Sequence, residues 1–209
     1  MRVLVAPDKF RGTASASQAV AALTAGLQAL GHEAIACPLA DGGEGLLEVL
    51  GGANRITTVT GPLGDPVEAA WRFVGRSAVI EMALASGLGL VGGADHNDAV
   101  AASTFGTGEL ISAALEAGAK KIVVGLGGSA TTDGGLGALR ALEPLHRLRG
   151  VELNVACDVG VRFVQAAQLF GPQKGATPSQ VKLLERRLER LLQVYENDYG
   201  VQVGDLVGG

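Results

Sequence analysis

Three glycine-bearing loops of this sequence place charged side chains directly after apolar runs. The first, Asp8-Lys9-Phe10-Arg11-Gly12-Thr13, follows VLVAP and offers an acid, two cations and the approach to a helix. Fixed positive charge beside unpaired helical N–H groups suits an anionic small molecule. The second, Asp41-Gly42-Gly43-Glu44-Gly45, sets carboxylates among glycines. There the backbone can come close to a ligand, and an acid can act as a general base or metal ligand. The third is GLGGSATTDGG at 125–135, straight after KKIVV. Its opening has the G-x-G-x-x-A form of a dinucleotide turn, but Glu143 and Glu152 are poor candidates for the ribose-binding acid such a turn requires. The loop also carries Ser129, Thr131, Thr132 and Asp133. A carboxylate beside phosphates repels them unless a cation lies between, which is the arrangement of a Mg²⁺–phosphate site.

Each loop has a plainer reading. Lys9 and Arg11 can be solvated surface charges, Asp41 a helix cap, and 125–135 a strand–turn–helix corner. Three single residues stand beside the loops. Glu81 lies in the apolar run SAVIEMALASGLGL, where a charge must be paired or functional. Asp158 closes the strand-like NVACDV, and Lys174 in FGPQKGAT precedes a well-capped helix, where it could meet phosphate as a point charge. Neither G-x-x-x-x-G-K-[ST] nor G-x-S-x-G occurs, which argues against a P-loop kinase and a serine hydrolase.

The elements that must hold these loops read as alternating strands and helices. VLVAP suggests a buried parallel strand, and Ser15 with Gln18 forms a capping-box pattern ahead of Val20, Leu23, Leu27 and Leu30, with Gly31 as the stop. EAIACPLA gives a second strand, so the order is β-α-β-α, with ligands expected at the C-terminal strand edge. From about residue 57, TTVTGPLGDPVEAAWRFV and SAVIEMA read as antiparallel strands. Thr107 is expected to cap a helix through GELISAALEAG. Thr177 with Gln180 opens the longest helix, with Val181, Leu184, Leu188, Leu191 and Tyr195 on one stripe. The closing VQVGDLVGG reads as strand-like, and the chain as cut short.

Composition narrows the class. Of the 209 residues 47% are hydrophobic, enough for a substantial core, and the 32 glycines cluster in turns without a repeat. A net charge of −4 without any Lys/Arg block argues against nucleic acid as the main partner. No apolar stretch is long enough for a membrane span, and a cytoplasmic location is expected. Cys37 and Cys157 are expected to be buried thiols, and the scattered His32, His96 and His146 argue against zinc.

Taken together, APDKFRGTASA, ADGGEG, VTGPLGDPV, VIEMALASGL, STFGTGELI, GLGGSATTDGG, VACDV and FGPQKGATP resemble, in order, the signatures of the bacterial class I glycerate kinases. The resemblance runs from Val3 to about Thr177. It implies ATP- and Mg²⁺-dependent phosphorylation of D-glycerate, commonly at the 2-hydroxyl. It also implies a fold of two α/β domains: a Rossmann-like parallel-sheet domain interrupted by an inserted second α/β domain with a mixed sheet. On that basis residues 1–57 are the N-terminal part of the Rossmann-like domain and 58–209 the insertion. Departures are Thr132 for the usual Asn, Leu46 for Thr, Gly160-Val161-Arg162 where Asn-Pro-Leu is common, and a short stretch between Leu142 and Val151. Family members are also longer at the C-terminus, so little activity is expected of a chain ending at Gly209.

The expected roles are these. Asp41, Lys9 and Asp133 are catalytic, with Asp41 first candidate for the base. Asp8, Lys9, Arg11, Gly42, Gly43 and Glu81 bind substrate. Gly127, Gly128, Ser129, Thr131 and Lys174 bind ATP, and Asp133 and Asp158 hold Mg²⁺. A homodimer is the assembly to test. Two other classes stand beside the kinase: an NAD-linked oxidoreductase using GLGGSA, and a non-catalytic ligand-binding module.

Overall fold

In the computed structural model, which describes residues 1–208, β1 (Arg2–Val5) and β2 (Glu33–Ala36) pair in parallel across the intervening helix α1 (Ala16–Ala29). The capping box at the start of α1 forms as its residue types require: Ser15 Oγ accepts from Gln18 N at 3.3 Å, and Gln18 Oε1 accepts from Ser15 N at 2.9 Å. Gly31 ends the helix at a φ of +77°, a conformation that other residues rarely adopt. The short helix α2 (Leu46–Val49) follows the DGGEG loop.

A second sheet has the order β3-β4-β5-β6-β7. β3 (Arg55–Thr60), β4 (Pro66–Val74) and β5 (Ser77–Glu81) are antiparallel, while β6 (Lys121–Gly125) and β7 (Glu152–Ala156) add in parallel beyond β5. The protein is thus α/β, with a small parallel sheet and a larger mixed one. The change of sheet falls between β2 and β3, beside the change of sequence texture near residue 57.

The main core joins Ile80 and Ile122 of the central strands to Leu110 and Ala114 of α4 (Phe105–Glu116), with Trp71 donating to Thr57 Oγ1 at 2.9 Å. Each large aliphatic side chain fully buried there contributes roughly 1.5–3 kcal/mol. The helix α3 (Ala83–Ser86) follows β5, α5 (Leu136–Leu142) packs on α4, and α6 (Ala166–Phe170) packs on the long α7 (Pro178–Tyr199). Leu184, Leu188, Leu191 and Tyr195 form the buried stripe of α7, and the Thr177–Gln180 box caps it.

Five expectations change. The α4 helix starts at Phe105, and Thr107 lies inside it with its hydroxyl 2.8 Å from Ser86 Oγ. The first helical N–H, of Phe105, donates to Ser103 Oγ at 3.1 Å, and Asp133, remote in sequence, accepts from Thr104 N just before it. Only Val5 of β1 is buried, and Leu4 is 63% exposed, because a two-stranded sheet leaves one face uncovered. Leu23 and Leu30 of the α1 stripe are exposed for the same reason. Cys37 is half-buried and Cys157 exposed, the latter just beyond the edge strand β7. VQVGDLVGG forms no strand among its described residues; Val207 makes one isolated bridge, to Arg162.

Candidate active site

The parallel strands β5, β6 and β7 end in register at Glu81, Gly125 and Ala156, so three loops leave from one edge. The DGGEG loop, carried in from the small sheet, lands on that edge. Gly127 N donates to Gly42 O at 3.1 Å and Leu126 N to Ala156 O at 3.1 Å. Contact is close enough to require glycine. A Cβ on Gly42 would stand 2.2 Å from Ala156 O, and one on Gly127 would stand 2.4 Å from Gly43 Cα. Leu46 and Leu47 of α2 then pack with Val79, which fixes the loop on the larger sheet.

At this junction Lys9 Nζ lies 3.0 Å from Asp41 Oδ1 and 3.8 Å from Asp8 Oδ1. Asp41 Oδ1 also accepts from Gly43 N at 2.8 Å. Desolvation would raise the Asp41 pKa, but the bonds from Lys9 and Gly43 and the charge of Lys9 outweigh it and hold the carboxyl below its ordinary value. Lys9 answers in kind: burial alone would lower its pKa, and the bond and charge of Asp41 hold it above the usual lysine value. Beside the pair opens a cavity of about 260 Å³, lined among others by Lys9, Arg11, Thr13 and Ser15. Glu44 and Glu48 also reach it, so an anion must be drawn in by Lys9 and Arg11 against two acids.

In the loop 125–135 the amides fall into three groups. Those of Leu126, Gly127 and Ala130 donate to protein carbonyls, and those of Asp133 and Gly135 to side-chain oxygens. The N–H groups of Gly128, Ser129, Thr131, Thr132 and Gly134 have no acceptor among the described residues. Lys174, buried beneath the loop, donates to Ser129 Oγ at 2.9 Å and to the Thr131 carbonyl. Desolvation lowers its pKa to about 8 despite the charge of Asp133. Lys174 therefore stiffens the loop from inside, and Gly127 packs it against Gly43.

Asp133 is heavily engaged. Its Oδ2 accepts from Thr104 N and Thr104 Oγ1, both at 2.8 Å, and from Gly137 N at 3.1 Å, while Oδ1 accepts from Gly135 N at 3.0 Å. Glu81 is buried, with Oε1 accepting from Leu47 N at 2.6 Å; desolvation raises its pKa against the backbone bonds from Leu47 and Gly45. It does not line the cavity beside Lys9. Asp158 is exposed past the end of β7. Among the described residues no three His, Cys, Asp or Glu side chains group as metal ligands. Two supports of the loop carry no local sequence signal: Tyr195 donates to Gly134 O at 2.8 Å, and Asn97 Nδ2 to Ala130 O at 2.9 Å. Tyr195 closes the α7 stripe, and only its hydroxyl hints at more than packing.

Two outcomes follow from this geometry. Gly127→Ala is expected to push the DGG loop away from 125–128, costing about 1–3 kcal/mol by overpacking. Turnover should fall far more than stability does, since the Lys9–Asp41 pair moves with the loop; a melting curve and a steady-state assay on one preparation check this. Lys174 gives a pH signature. Its folded pKa of about 8 lies below the unfolded 10.5, so folding is penalised while both states are charged, and stability rises as pH goes from 8 to 10.5. The rise is of order 3 kcal/mol. Tyr195, pushed up to about 12 by desolvation and by Asp133, acts in the opposite direction above pH 10. Urea titrations from pH 7 to 10.5 should show the rise in the wild type and a flat profile in Lys174→Met.

The architecture is that of an α/β protein with its candidate site at the C-terminal ends of parallel strands. A family model described as the glycerate kinase family matches residues 3–146 and 143–209, and the chain belongs to that family. The two segments meet within the stretch that reads as short for the family. Glycerate kinase of Bacillus subtilis (strain 168) is 38% identical over all of this chain, which covers 64% of the relative. Glycerate 2-kinase of Escherichia coli (strain K12) is 37% identical, again over the whole chain and 65% of the relative. The chain thus spans slightly less than two thirds of the length of these curated relatives. A crystal structure named for glycerate kinase 2 from Salmonella typhimurium LT2 superimposes with a TM-score of 0.86 at 36% identity, covering all of this chain and 66% of the other.

Proposed function

We propose that the chain carries the acceptor side of an ATP-dependent glycerate kinase that phosphorylates D-glycerate at its 2-hydroxyl, giving 2-phosphoglycerate. The observation that carries this reading is the Lys9–Asp41 pair, set at 3.0 Å beside a loop whose Gly128, Ser129 and Thr131 amides are unpartnered. The names of the relatives favour it over the NAD-linked oxidoreductase and the non-catalytic module.

Arg11 and Lys9 draw in the glycerate carboxylate. Asp41 orients the 2-hydroxyl through the oxygen not held by Lys9 and Gly43, and receives its proton. The hydroxyl oxygen forms its bond to the γ-phosphorus as the bond to the ADP oxygen breaks. The free amides of Gly128, Ser129 and Thr131 take negative charge on the transferring group, which is the larger part of catalysis in phosphoryl transfer. Magnesium is generally held by one or two carboxylates plus substrate phosphates, keeping several waters. The exposed Asp158 fits that need better than Asp133, whose carboxylate is occupied by backbone and Thr104 donors. When bound there, the ion neutralises phosphate charge. We read 1–57 and 58–209 as the two domain portions and the cytoplasm as the place of work; no helix of the described residues is long and apolar enough to cross a membrane.

The test is ADP release with and without D-glycerate, alongside the intact mass of the native protein and phosphorus NMR of the product. Glycerate-dependent ADP release, with phosphorus coupled to a single carbon-bound proton, is expected. Coupling to two protons would move the transfer to the 3-hydroxyl. Glycerate-independent turnover, or none from the native protein, would end the kinase reading.

A further inference from the structure

Away from the Lys9–Asp41 pair, at the other end of the glycine loop, lies a second cavity of about 320 Å³. Leu184, Leu188 and Leu191 of α7 line it together with Ala102 and Leu136. Thr132 and Asp133 supply its polar side, and Arg187 and Arg190 also border it. Nothing in the acceptor chemistry uses this cavity. Its size and mostly apolar lining with a few polar groups are those of a small-molecule pocket.

Two details point to the kind of occupant. Thr132 is 8% exposed, and its Oγ1 is buried without a hydrogen-bond partner among the described residues. An orphaned buried hydroxyl costs about 1–3 kcal/mol, which a ligand with a donor or acceptor edge relieves. The arginines differ: Arg187 Nη1 donates to Val100 O at 2.7 Å, while Arg190 is exposed and has no ion-pair or hydrogen-bond partner among the described residues. A free guanidinium stacks on flat conjugated rings and attracts phosphate. An apolar slot, a polar edge and a planar cation together suit a flat heteroaromatic base on a sugar phosphate.

The loop connects this cavity with the acceptor site. Gly127 touches Gly43 beside the Lys9–Asp41 pair, and Thr132 lines the second cavity. Five residue steps separate them, at most about 18 Å of chain. The unpartnered amides of Gly128, Ser129 and Thr131 lie between. We infer that the α7–Thr132 cavity binds the base and ribose of the nucleotide, with its phosphates running back along residues 131 to 128 toward the acceptor hydroxyl. This rests on the kinase reading above and gives its donor a location.

The experiment is photolabelling of the protein with 8-azido-ATP, together with calorimetric titration of ADP and of D-glycerate into wild type and Val194→Trp, a substitution at the cavity wall. Label in residues 184–194 or 99–102, competed by ATP, is expected. Val194→Trp should weaken ADP at least tenfold and leave D-glycerate within twofold. Competed label elsewhere overturns the assignment, as does unchanged ADP affinity in a folded Val194→Trp; in both cases the kinase reading stands. If the variant does not fold, the label map alone decides. Failure of the wild type to bind ADP or take ATP-competed label sinks the pocket and the kinase reading together.

Discussion

Asp41→Asn is expected to lower kcat for glycerate phosphorylation by about 10²–10⁴-fold, the range that a positioned general base contributes. The substitution is nearly isosteric. An Asn oxygen can still accept from Lys9 Nζ and Gly43 N, the two donors that hold Asp41 Oδ1. What is lost is the capacity to take a proton, so kcat should fall while the KM for ATP stays close to wild type. The pH profile adds a second readout. Desolvation acts to raise the Asp41 pKa, and the Lys9 and Gly43 bonds bring it below the ordinary value. The carboxylate therefore stays ionised as pH falls through the usual aspartate range, and the acid limb of kcat/KM should lie below that range. Lys9→Met should act mainly on the KM for glycerate. If Asp41→Asn keeps turnover within a few-fold while Asp133→Asn abolishes it, the roles of the two acids are reversed.

Much of this site is legible in the sequence because its loops follow local rules. The Ser15–Gln18 and Thr177–Gln180 boxes depend on residues three apart, and both form. The glycines of 42–43 and 125–127 mark a close approach, although their spacing does not say what approaches. The answer, Gly127 against Gly43, is a contact between residues more than eighty positions apart. The same blindness hides the partner of Glu81. A lone acid in an apolar run signals pairing or function, and the structure pairs it with the start of a helix from another segment. Lys174 reads in the sequence as a point charge for phosphate ahead of a helix, yet it is buried with its Nζ bonded to Ser129 of the glycine loop. Periodicity overstates burial in α1, since a stripe at helical spacing shows which face is apolar and not whether anything covers it.

Asp133 is where a structural and a catalytic acid can be told apart by measurement. Its carboxylate ties the start of α4, through Thr104, to the start of α5, through Gly135 and Gly137. Asp133→Ala leaves these donors without an acceptor, at about 1–3 kcal/mol for each that stays buried. A total loss near 4 kcal/mol is expected, enough to lower Tm by about 10 °C in a domain of this size. Asp133→Asn keeps one oxygen acceptor and should lose about half as much. If the acid acts only by holding the loop, turnover in Asp133→Asn should follow the loss of stability, with an unchanged Mg²⁺ requirement. Asp158→Asn should do the reverse, raising the Mg²⁺ needed for half-maximal turnover while leaving Tm within a degree or two, because its exposed side chain has no hydrogen-bond or ion-pair partner among the described residues. A Mg²⁺ requirement that shifts tenfold in Asp133→Asn with Tm unchanged would restore the metal to Asp133. That result would also mean that the capping bonds survive in a protein whose acid is free to face phosphate.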